Sequence, residues 1–319
     1  MGGARPFRFG VIGEGVRTRE GLLAAARAAE AAGCDTFLLR DHLIAEPFGP
    51  QLAPLVALAA VAGATERLRL GTLVLANDFR HPAVLAKEAA TLDLVSGGRF
   101  ELGIGAGWLR EEYGRAGIPF DAAGVRVGRF EEGVRALKVL LGGGAASFVG
   151  KHYALDGLET FPAPVQQPRP PILIGAGSRR MLGIAGREAD TVGILTSSVA
   201  SGTLESDPAG MGPATVEEKL GWVRAGAGPR FEEIELSLVP SVVVARDERV
   251  AARRFAAERG WNGVGVEEVL AMPSVFVGTV ERIAEMMVRR RERYGFSYYV
   301  VSDGALTAFA PIVAALAGT

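Results

Sequence analysis

The amino-acid sequence predicts an α/β protein whose strands close into a (β/α)8 TIM barrel. Short apolar runs rich in branched residues alternate with longer stretches of helical periodicity, a pattern typical of parallel sheets. The alternation repeats eight times over 319 residues, which favours a barrel over an open sheet. Several predicted strands are followed by glycine-rich or polar motifs. In parallel barrels the chemistry lies at these carboxyl ends.

The predicted strands are apolar runs bounded by turn residues. They span residues 7–12, 35–40, 68–75, 99–104, 171–175, 190–195, 235–245 and 297–301. Apolar residues at helical spacing predict the helices between them. These span residues 18–32, 54–66, 82–95, 125–141, 179–187, 215–225, 279–294 and 306–316, and a further helix follows Asp247.

Individual residues mark several helix ends. Pro82 occupies a first helical position, where its missing N–H costs nothing, and Gly33 follows the first helix as a C-terminal glycine. The pattern from Thr215 to Glu218 is a capping box that predicts the start of a helix, and Asp247 is expected to cap the next helix.

Four stretches interrupt the alternation. Residues 109–124 are polar and predicted as a loop, and 142–167 contain an aromatic alternation that indicates a small hairpin or an excursion over the barrel's edge. Residues 196–213 are predicted as a long loop rich in Ser, Thr, Gly and Pro, and 261–273 as irregular. We therefore expect one barrel domain over residues 1–319, with insertions after strand 4 and after strands 6–7.

Composition excludes several classes of function. The net charge of −1 offers no basic surface for nucleic acid, and a single cysteine, Cys34, rules out a disulfide framework or a cysteine-based metal cluster. The histidines at 42, 81 and 152 lack metal-ligand spacing, so no metal site is predicted. Apolar runs are too short for a membrane span or a signal peptide, which leads us to expect a cytoplasmic protein.

Four strand-end motifs together resemble a known family. They are RDH at 40–42, LGTLVLANDFRHP at 70–82, ELGIGAGW at 101–108 and ILIGAGS at 172–178. Over essentially its whole length the chain resembles the bacterial-luciferase-like (LLM class) oxidoreductases, specifically the branch that depends on the deazaflavin coenzyme F-420. The resemblance implies a flat ring across the barrel mouth and a phosphate tail at a glycine loop near the sixth strand.

Asp41 and His42 follow the second predicted strand and, by the resemblance, stand at the ring. The resemblance implies that His42 exchanges a proton with substrate during hydride transfer. A histidine titrates near neutral pH and can donate or accept a proton there. The alternative is that the Asp41-His42 pair merely caps the loop before Leu43.

Leu73-Val74 matches the place where the family commonly has a non-proline cis peptide that supports one face of the ring. The alternative is an ordinary trans strand end. Asn77, on the following loop, can bond a ring carbonyl or a ribityl hydroxyl, or stabilise its own turn. His81, before Pro82, is expected to be structural rather than catalytic.

Gly105, Ala106 and Gly107 allow the backbone to approach the ring edge, since glycine lacks a Cβ. Trp108 is expected to stack on the cofactor or form the floor of the substrate pocket, with a buried core tryptophan as the alternative. Some deazaflavin relatives carry an acidic glutamate near this position. Here Trp108 takes that place, and Glu111 and Glu112 lie downstream, which leaves the acid role in doubt.

The Gly175-Ala176-Gly177-Ser178 loop opens a helix. Helix N-termini bind phosphate through unpaired N–H groups and the helix dipole, and Arg179 adds charge. Such a loop also makes ordinary tight turns, but phosphate sites cluster late in barrels of this kind. The residues expected to contact the cofactor are therefore Asp41, Leu73, Val74, Asn77, Gly105, Ala106, Gly107, Trp108, Gly175, Ala176, Gly177, Ser178 and Arg179.

The predicted function is hydride transfer between the deazaflavin C5 and a small organic substrate. One alternative keeps the fold but uses reduced FMN and oxygen, as a monooxygenase. Another is a non-catalytic protein that binds the cofactor. The resemblance also implies a homodimer, formed by the helices that flank strands two to four, and a separate reductase that supplies reduced cofactor. The alanines expected at the dimer interface are Ala57, Ala60, Ala64, Ala86 and Ala90. The alternative is that these alanines simply pack against the barrel.

Overall fold

A computed structural model describes residues 5–196 and 207–319. Its strands are β1 (Arg8–Ile12), β2 (Thr36–Leu39), β3 (Arg69–Thr72), β4 (Leu75–Ala76), β5 (Phe100–Gly105), β6 (Ala146–Val149), β7 (Ala154–Leu158), β8 (Ile172–Ala176), β9 (Thr191–Ile194), β10 (Glu235–Leu238), β11 (Ser241–Val244), β12 (Val275–Gly278) and β13 (Phe296–Ser302). Its α-helices are α1 (Arg19–Ala31), α2 (Pro54–Ala62), α3 (Pro82–Val95), α4 (Arg110–Ala116), α5 (Ala123–Leu141), α6 (Arg179–Glu188), α7 (Pro213–Ala227), α8 (Glu248–Glu258), α9 (Val266–Ala271), α10 (Val280–Tyr294) and α11 (Leu306–Leu316).

The main sheet closes into the predicted (β/α)8 barrel. Its order is β3-β2-β1-β13-β10-β9-β8-β5-β4, and a pairing between β3 and β5 completes the circle. β3 and β4 together form one staggered barrel strand, so eight strand positions surround the axis. All barrel pairings are parallel. All the carboxyl ends therefore meet at one mouth.

The barrel interior is filled in two layers. Toward the mouth, Ile12, Leu38 and Tyr298 belong to an apolar cluster on which Leu73 and Val74 pack while partly buried. At the amino-terminal ends of the strands the Arg8 guanidinium donates to Glu101 and Glu235 of other strands. These side chains therefore fill the described interior below the mouth, and the carboxyl ends are the side at which a ligand is expected to bind.

Several local predictions were wrong. Residues 110–116, predicted as loop, form α4, and α9 lies inside the segment predicted as irregular. The predicted strand 235–245 is two strands, since Pro240 interrupts it, and β11 leaves the barrel to pair with the unpredicted β12. The capping box at Thr215 does not begin a helix, because α7 begins at Pro213 with Gly212 as its N-cap. Helix α2 ends at Ala62 instead of residue 66.

The structure has insertions after the fourth and seventh barrel strands. After the fourth barrel strand, β6 and β7 form the expected antiparallel hairpin. After the seventh, β11, α8, α9 and β12 enclose a second apolar core that includes Trp261 and also Met211. Met211 belongs to the predicted loop 196–213, of which residues 197–206 lie outside the described part. Within that part, no helix has the length and apolarity needed to cross a membrane.

The alanines expected at a dimer interface have different surroundings. Ala57, Ala86 and Ala90 are buried in the main core, so they pack against the barrel and cannot meet a partner. Ala64 is half-buried, whereas Ala60 is exposed. For the three buried residues the structure supports the alternative of packing against the barrel, because helices α2 and α3 turn their small residues inward.

Candidate active site

Asp41 and His42 follow β2 at the mouth, but their side chains have different partners. The buried Asp41 carboxylate accepts hydrogen bonds from both terminal nitrogens of Arg80, at 2.6 and 3.1 Å, and from the Ala76 N–H at 3.1 Å. These bonds fix the segment that follows β4. Asp41 therefore holds the chain around Ala76 and Arg80 in place at the mouth. Its direct contact with a cofactor stays a prediction.

His42 is paired with a glutamate from another element. Its Nδ1 lies 3.2 Å from Oε2 and 3.3 Å from Oε1 of Glu112, and Glu112 Oε2 also accepts the Leu43 N–H at 3.0 Å. The Glu112 side chain is 2% exposed and that of His42 10%. A buried carboxylate in the first turn of α4 thus holds the predicted catalytic histidine.

Glu112 was not among the predicted site residues. The prediction of a loop over 109–124 gave no reason to direct its side chain at His42. The sequence did contain a signal for this helix. Leu109 and Tyr113 are four residues apart, as are the paired Glu111 and Arg115, and both spacings fit one short helix. In that helix Leu109, Glu112 and Tyr113 share the buried face.

Aromatic rings surround His42. The Trp108 ring meets the imidazole edge-on at 5.8 Å between centroids, and the Phe48 ring lies 5.2 Å away. The Arg40 guanidinium stacks on Phe48 at 4.2 Å and donates to Glu14. Trp108 is half-buried, so the alternative of a buried core tryptophan was wrong. The arrangement makes one wall of the mouth apolar and aromatic.

A surface without Cβ atoms lies beside the Leu73-Val74 peptide, which is cis as favoured from the sequence. A Cβ added to Gly105 would meet Val74 Cγ2 at 2.9 Å, and one on Gly175 would meet Val74 Cγ1 at 3.4 Å. Gly193 is paired with Gly175 on the next strand. The three adjacent strands β5, β8 and β9 thus have glycines at the same height along the barrel axis. This flat patch fits a planar ring, because side chains there would fill the space.

The glycine at 107 has a different reason from the one predicted. Gly107 has φ +70°, and a Cβ there would lie 1.8 Å from the Tyr113 hydroxyl oxygen. That hydroxyl donates to Asp78 at 3.2 Å, and burial raises the pKa of Tyr113. Ala106 packs on the main core. Gly107 is therefore needed for packing between the β5 loop and α4, and close approach to a ring stays a prediction.

The predicted phosphate loop is at the strand-to-helix junction. β8 ends at Ala176, and Ser178 is the N-cap of α6. In the part of the chain that the structure describes, the Ser178 hydroxyl makes no capping bond to the helix. Ser178 and Arg179 are exposed. The first N–H groups of α6 thus have no bond from the Ser178 side chain, and phosphate binding at them stays a prediction.

A buried lysine beside this loop was missed. The Lys219 amine donates to the carbonyl oxygens of Leu195 at 2.6 Å and Thr196 at 3.3 Å, and Leu195 N–H donates to Ala176 of the glycine loop. Burial lowers the pKa of Lys219. Because Lys219 comes from α7, its sequence position gave no indication of this contact.

Asn77 and His81 lie on the outer side of the mouth. The Asn77 amide is buried and donates to the Tyr153 hydroxyl at 3.2 Å. His81 Nδ1 accepts the Ala83 N–H as the N-cap of α3, which confirms the structural role predicted for His81. Both residues line a cavity of about 340 Å³ that also includes Arg129. The structure gives Asn77 a hairpin partner, and its contact with a cofactor stays a prediction.

Comparison with known proteins assigns the family. The sequence profile described as luciferase-like monooxygenase matches residues 6–293, and the chain belongs to this family. An F420-dependent glucose-6-phosphate dehydrogenase of Nakamurella multipartita is 31% identical over 84% of this chain and 78% of its own length. The FMNH(2)-dependent dimethylsulfone monooxygenase of Pseudomonas putida is 30% identical over 62% of this chain and 50% of its own length.

Two of the curated relatives are matched over only 43% and 50% of their own lengths, so the chain spans about half the length of each. Among solved structures, the coenzyme F420-dependent tetrahydromethanopterin reductase of Methanopyrus kandleri superposes with a TM-score of 0.74. The match covers 98% of this chain and 100% of that one at 17% identity. This likeness concerns the fold. The family as a whole includes oxidoreductases of both the deazaflavin and the flavin type.

Proposed function

We propose that the protein is a coenzyme F-420-dependent oxidoreductase acting on a small organic substrate. The observation that carries the proposal is the His42–Glu112 pair at the mouth, beside the glycine patch next to Val74. Hydride transfer to a polar double bond leaves negative charge on the substrate, and a positioned acid is needed to neutralise it. Two of the F420-dependent relatives align over 88% and 84% of this chain, against 62% for the FMNH(2)-dependent one, whereas three others align over 53 to 58% of it.

The residues of the mouth have separate roles in this proposal. The bound deazaflavin supplies or accepts the hydride at C5. Leu73, Val74 and the patch of Gly105 and Gly175 support the face of the ring. The loop from Gly175 to Arg179 holds the phosphate at the N-terminus of α6.

The remaining residues act on the substrate side. Trp108 and Phe48 keep water from the reacting atoms, since their rings enclose the imidazole. His42 gives a proton to the substrate atom that becomes negative, or takes one in the opposite direction. Asp41 holds the segment after β4 in place through Arg80 and Ala76.

The second candidate is a monooxygenase that uses reduced FMN and oxygen. It is supported by the description of the matched family and by the Pseudomonas relative. For both candidates, where the reaction consumes reduced cofactor, we propose a separate reductase or dehydrogenase that supplies it. For both we also propose a homodimer through α2 and α3, where Val56 and Val84 are 76% and 54% exposed.

Turnover without oxygen tests the proposal. Purified protein is mixed with reduced F-420 and a panel of enones and imines, and oxidation of the cofactor is followed by absorbance. We expect oxidation that depends on both the protein and an acceptor. In a separate assay with oxygen, incorporation of ¹⁸O from ¹⁸O2 into a product with reduced FMN, together with no acceptor-dependent oxidation of reduced F-420, would instead establish the monooxygenase.

A further inference from the structure

We propose that Glu112 is a positioning residue for His42, which keeps the imidazole proton on Nδ1 and the lone pair on Nε2. The chemical consequence rests on the proposed function, whereas the geometry is independent of the cofactor. Both oxygens of the carboxylate lie within 3.3 Å of Nδ1, and the side chain of Glu112 is 2% exposed.

The direction of the hydrogen bond follows from which of the two groups can donate a proton. An ionised carboxylate can only accept, so a neutral imidazole facing Glu112 must carry its proton on Nδ1. The Leu43 N–H donates to the same carboxylate at 3.0 Å and fixes its orientation. Nε2 therefore lies on the side of the ring away from Glu112 and is the nitrogen that exchanges a proton.

Other charged groups near His42 have partners of their own. Asp41 is bonded to Arg80, and Arg40 is bonded to Glu14 while stacked on Phe48. Within residues 5–196 and 207–319, the ion-pair contact recorded for Glu112 is the one with His42. Glu112 is thus the carboxylate placed to set the state of this imidazole.

The proton balance of the proposed reaction needs this arrangement. In substrate reduction, the substrate carbon accepts the hydride and the neighbouring negative atom takes the proton from Nε2 of the imidazolium. His42 is left neutral with its proton on Nδ1, still bonded to Glu112. In the opposite direction Nε2 takes the substrate proton, and the carboxylate stabilises the imidazolium that forms.

Nitrogen NMR of the imidazoles tests the proposal on the protein without cofactor. The chain has only three histidines, so the ring signals of ¹⁵N-histidine-labelled protein can be assigned from the His42→Ala spectrum. In the wild type at a pH where the ring is neutral, we expect Nδ1 protonated. Glu112→Gln keeps an acceptor for Leu43, but its amide can donate to Nδ1, so we expect a shift toward the Nε2–H form.

Glu111→Gln is the matched control. It makes the same chemical change one residue earlier, at an exposed position paired with Arg115, and we expect the wild-type tautomer. A wild-type His42 protonated on Nε2 would overturn the proposal without any variant. An unchanged tautomer in folded Glu112→Gln would also overturn the proposal, because Glu112 would then serve only to accept the Leu43 N–H.

Kinetics separate this proposal from the proposed function. With F-420 and an acceptor, we expect Glu112→Gln to lower kcat about 10-fold or more, while KM and cofactor affinity stay within about twofold. Unchanged kcat would contradict a positioning role. Absence of turnover with F-420 in the wild type would overturn the proposed function, and the NMR result would still decide the role of Glu112.

Discussion

His42 is the residue at which the proposed chemistry is concentrated. We expect His42→Ala to reduce turnover about 10²- to 10⁴-fold, the range typical of a lost general acid or base. Cofactor binding should remain, because the glycine patch and the α6 N-terminus are unchanged. Steady-state kinetics and a fluorescence binding curve measure the two effects.

The control for this variant is His81→Asn. Asn serves as an N-cap as well as the His81 ring does, so helix α3 should keep its N-cap and turnover should be unchanged. Wild-type turnover in His42→Ala would show that the histidine only closes the loop before Leu43.

Gly105 tests the glycine patch. In Gly105→Ala the new Cβ lies 2.9 Å from Val74 Cγ2, so Val74 must move out of its place beside the ring site. We expect cofactor affinity to fall about 10-fold, a loss of about 1.4 kcal/mol in binding free energy. Isothermal titration with the cofactor measures this.

Gly221→Ala serves as the control, because it adds the same methyl group to α7 where no atom lies within 4 Å. Undiminished affinity in Gly105→Ala would mean that the ring lies elsewhere in the mouth.

Residues of the site were predictable where they follow a strand directly. His42, Trp108 and Ser178 come within three residues of a strand end, and the parallel alternation alone brings such positions to one mouth. Glu112 and Lys219 reach the mouth from helices, and the direction of a helical side chain depends on packing that the sequence does not state. Asn77 was placed correctly along the chain, but its partner Tyr153 comes from an insertion.

At the scale of elements, Glu30 links α1 to the segment before β3. Its Oε1 accepts the N–H groups of Glu66, Arg67 and Leu68 at 2.7 to 3.0 Å. Partial burial raises the pKa of Glu30, but these three hydrogen bonds outweigh burial and lower it below its ordinary value of 4.5. Its contribution to stability is therefore present above that value and is lost as pH falls through the lowered pKa.

We expect Glu30→Gln to destabilise the protein by about 1 kcal/mol near neutral pH, since solvent screens this half-exposed group. The difference from the wild type should shrink as the pH is lowered from about 7 to 3. Urea unfolding across this range measures it, with the exposed Glu159→Gln as control. A difference that persists at the acid end would contradict an electrostatic origin.

Long elements were predictable and short ones were not. Helices α3, α10 and α11 appear close to their predicted bounds because each presents several turns of regular apolar spacing. Helices α4 and α9 have seven and six residues, which give too few repeats to distinguish helix from loop. β12 was missed because its apolar run follows a segment without a recognisable period, and its pairing with β11 is set by the fold.

At the scale of the whole molecule, we expect the amino-terminal end of the barrel to contribute stability and the carboxyl end to bind the cofactor. At the closed end the Arg8 guanidinium, 25% exposed, donates to Glu101 and Glu235, both 6% exposed. Arg8→Met would leave two largely buried carboxylates without this partner. We expect a loss of about 3 kcal/mol in the free energy of unfolding.

Cofactor affinity of the folded Arg8→Met variant should be unchanged, because its site is at the opposite end. Urea unfolding and cofactor titration provide the two readouts. Arg254→Met, which breaks an exposed pair with Glu258 on α8, is the control and should cost less than about 1 kcal/mol. Weakened cofactor binding in Arg8→Met would contradict the separation of the two ends.

The choice of cofactor distinguishes the two enzymatic candidates at the scale of the whole molecule. Its most direct test is a fluorescence titration of the purified protein with F-420 and, in parallel, with FMN at the same concentrations. We expect saturable, selective binding of F-420 that is weakened in Gly105→Ala. Selective binding of FMN would contradict it and make the protein an FMN-dependent member of the family, and binding of neither would contradict both enzymatic candidates.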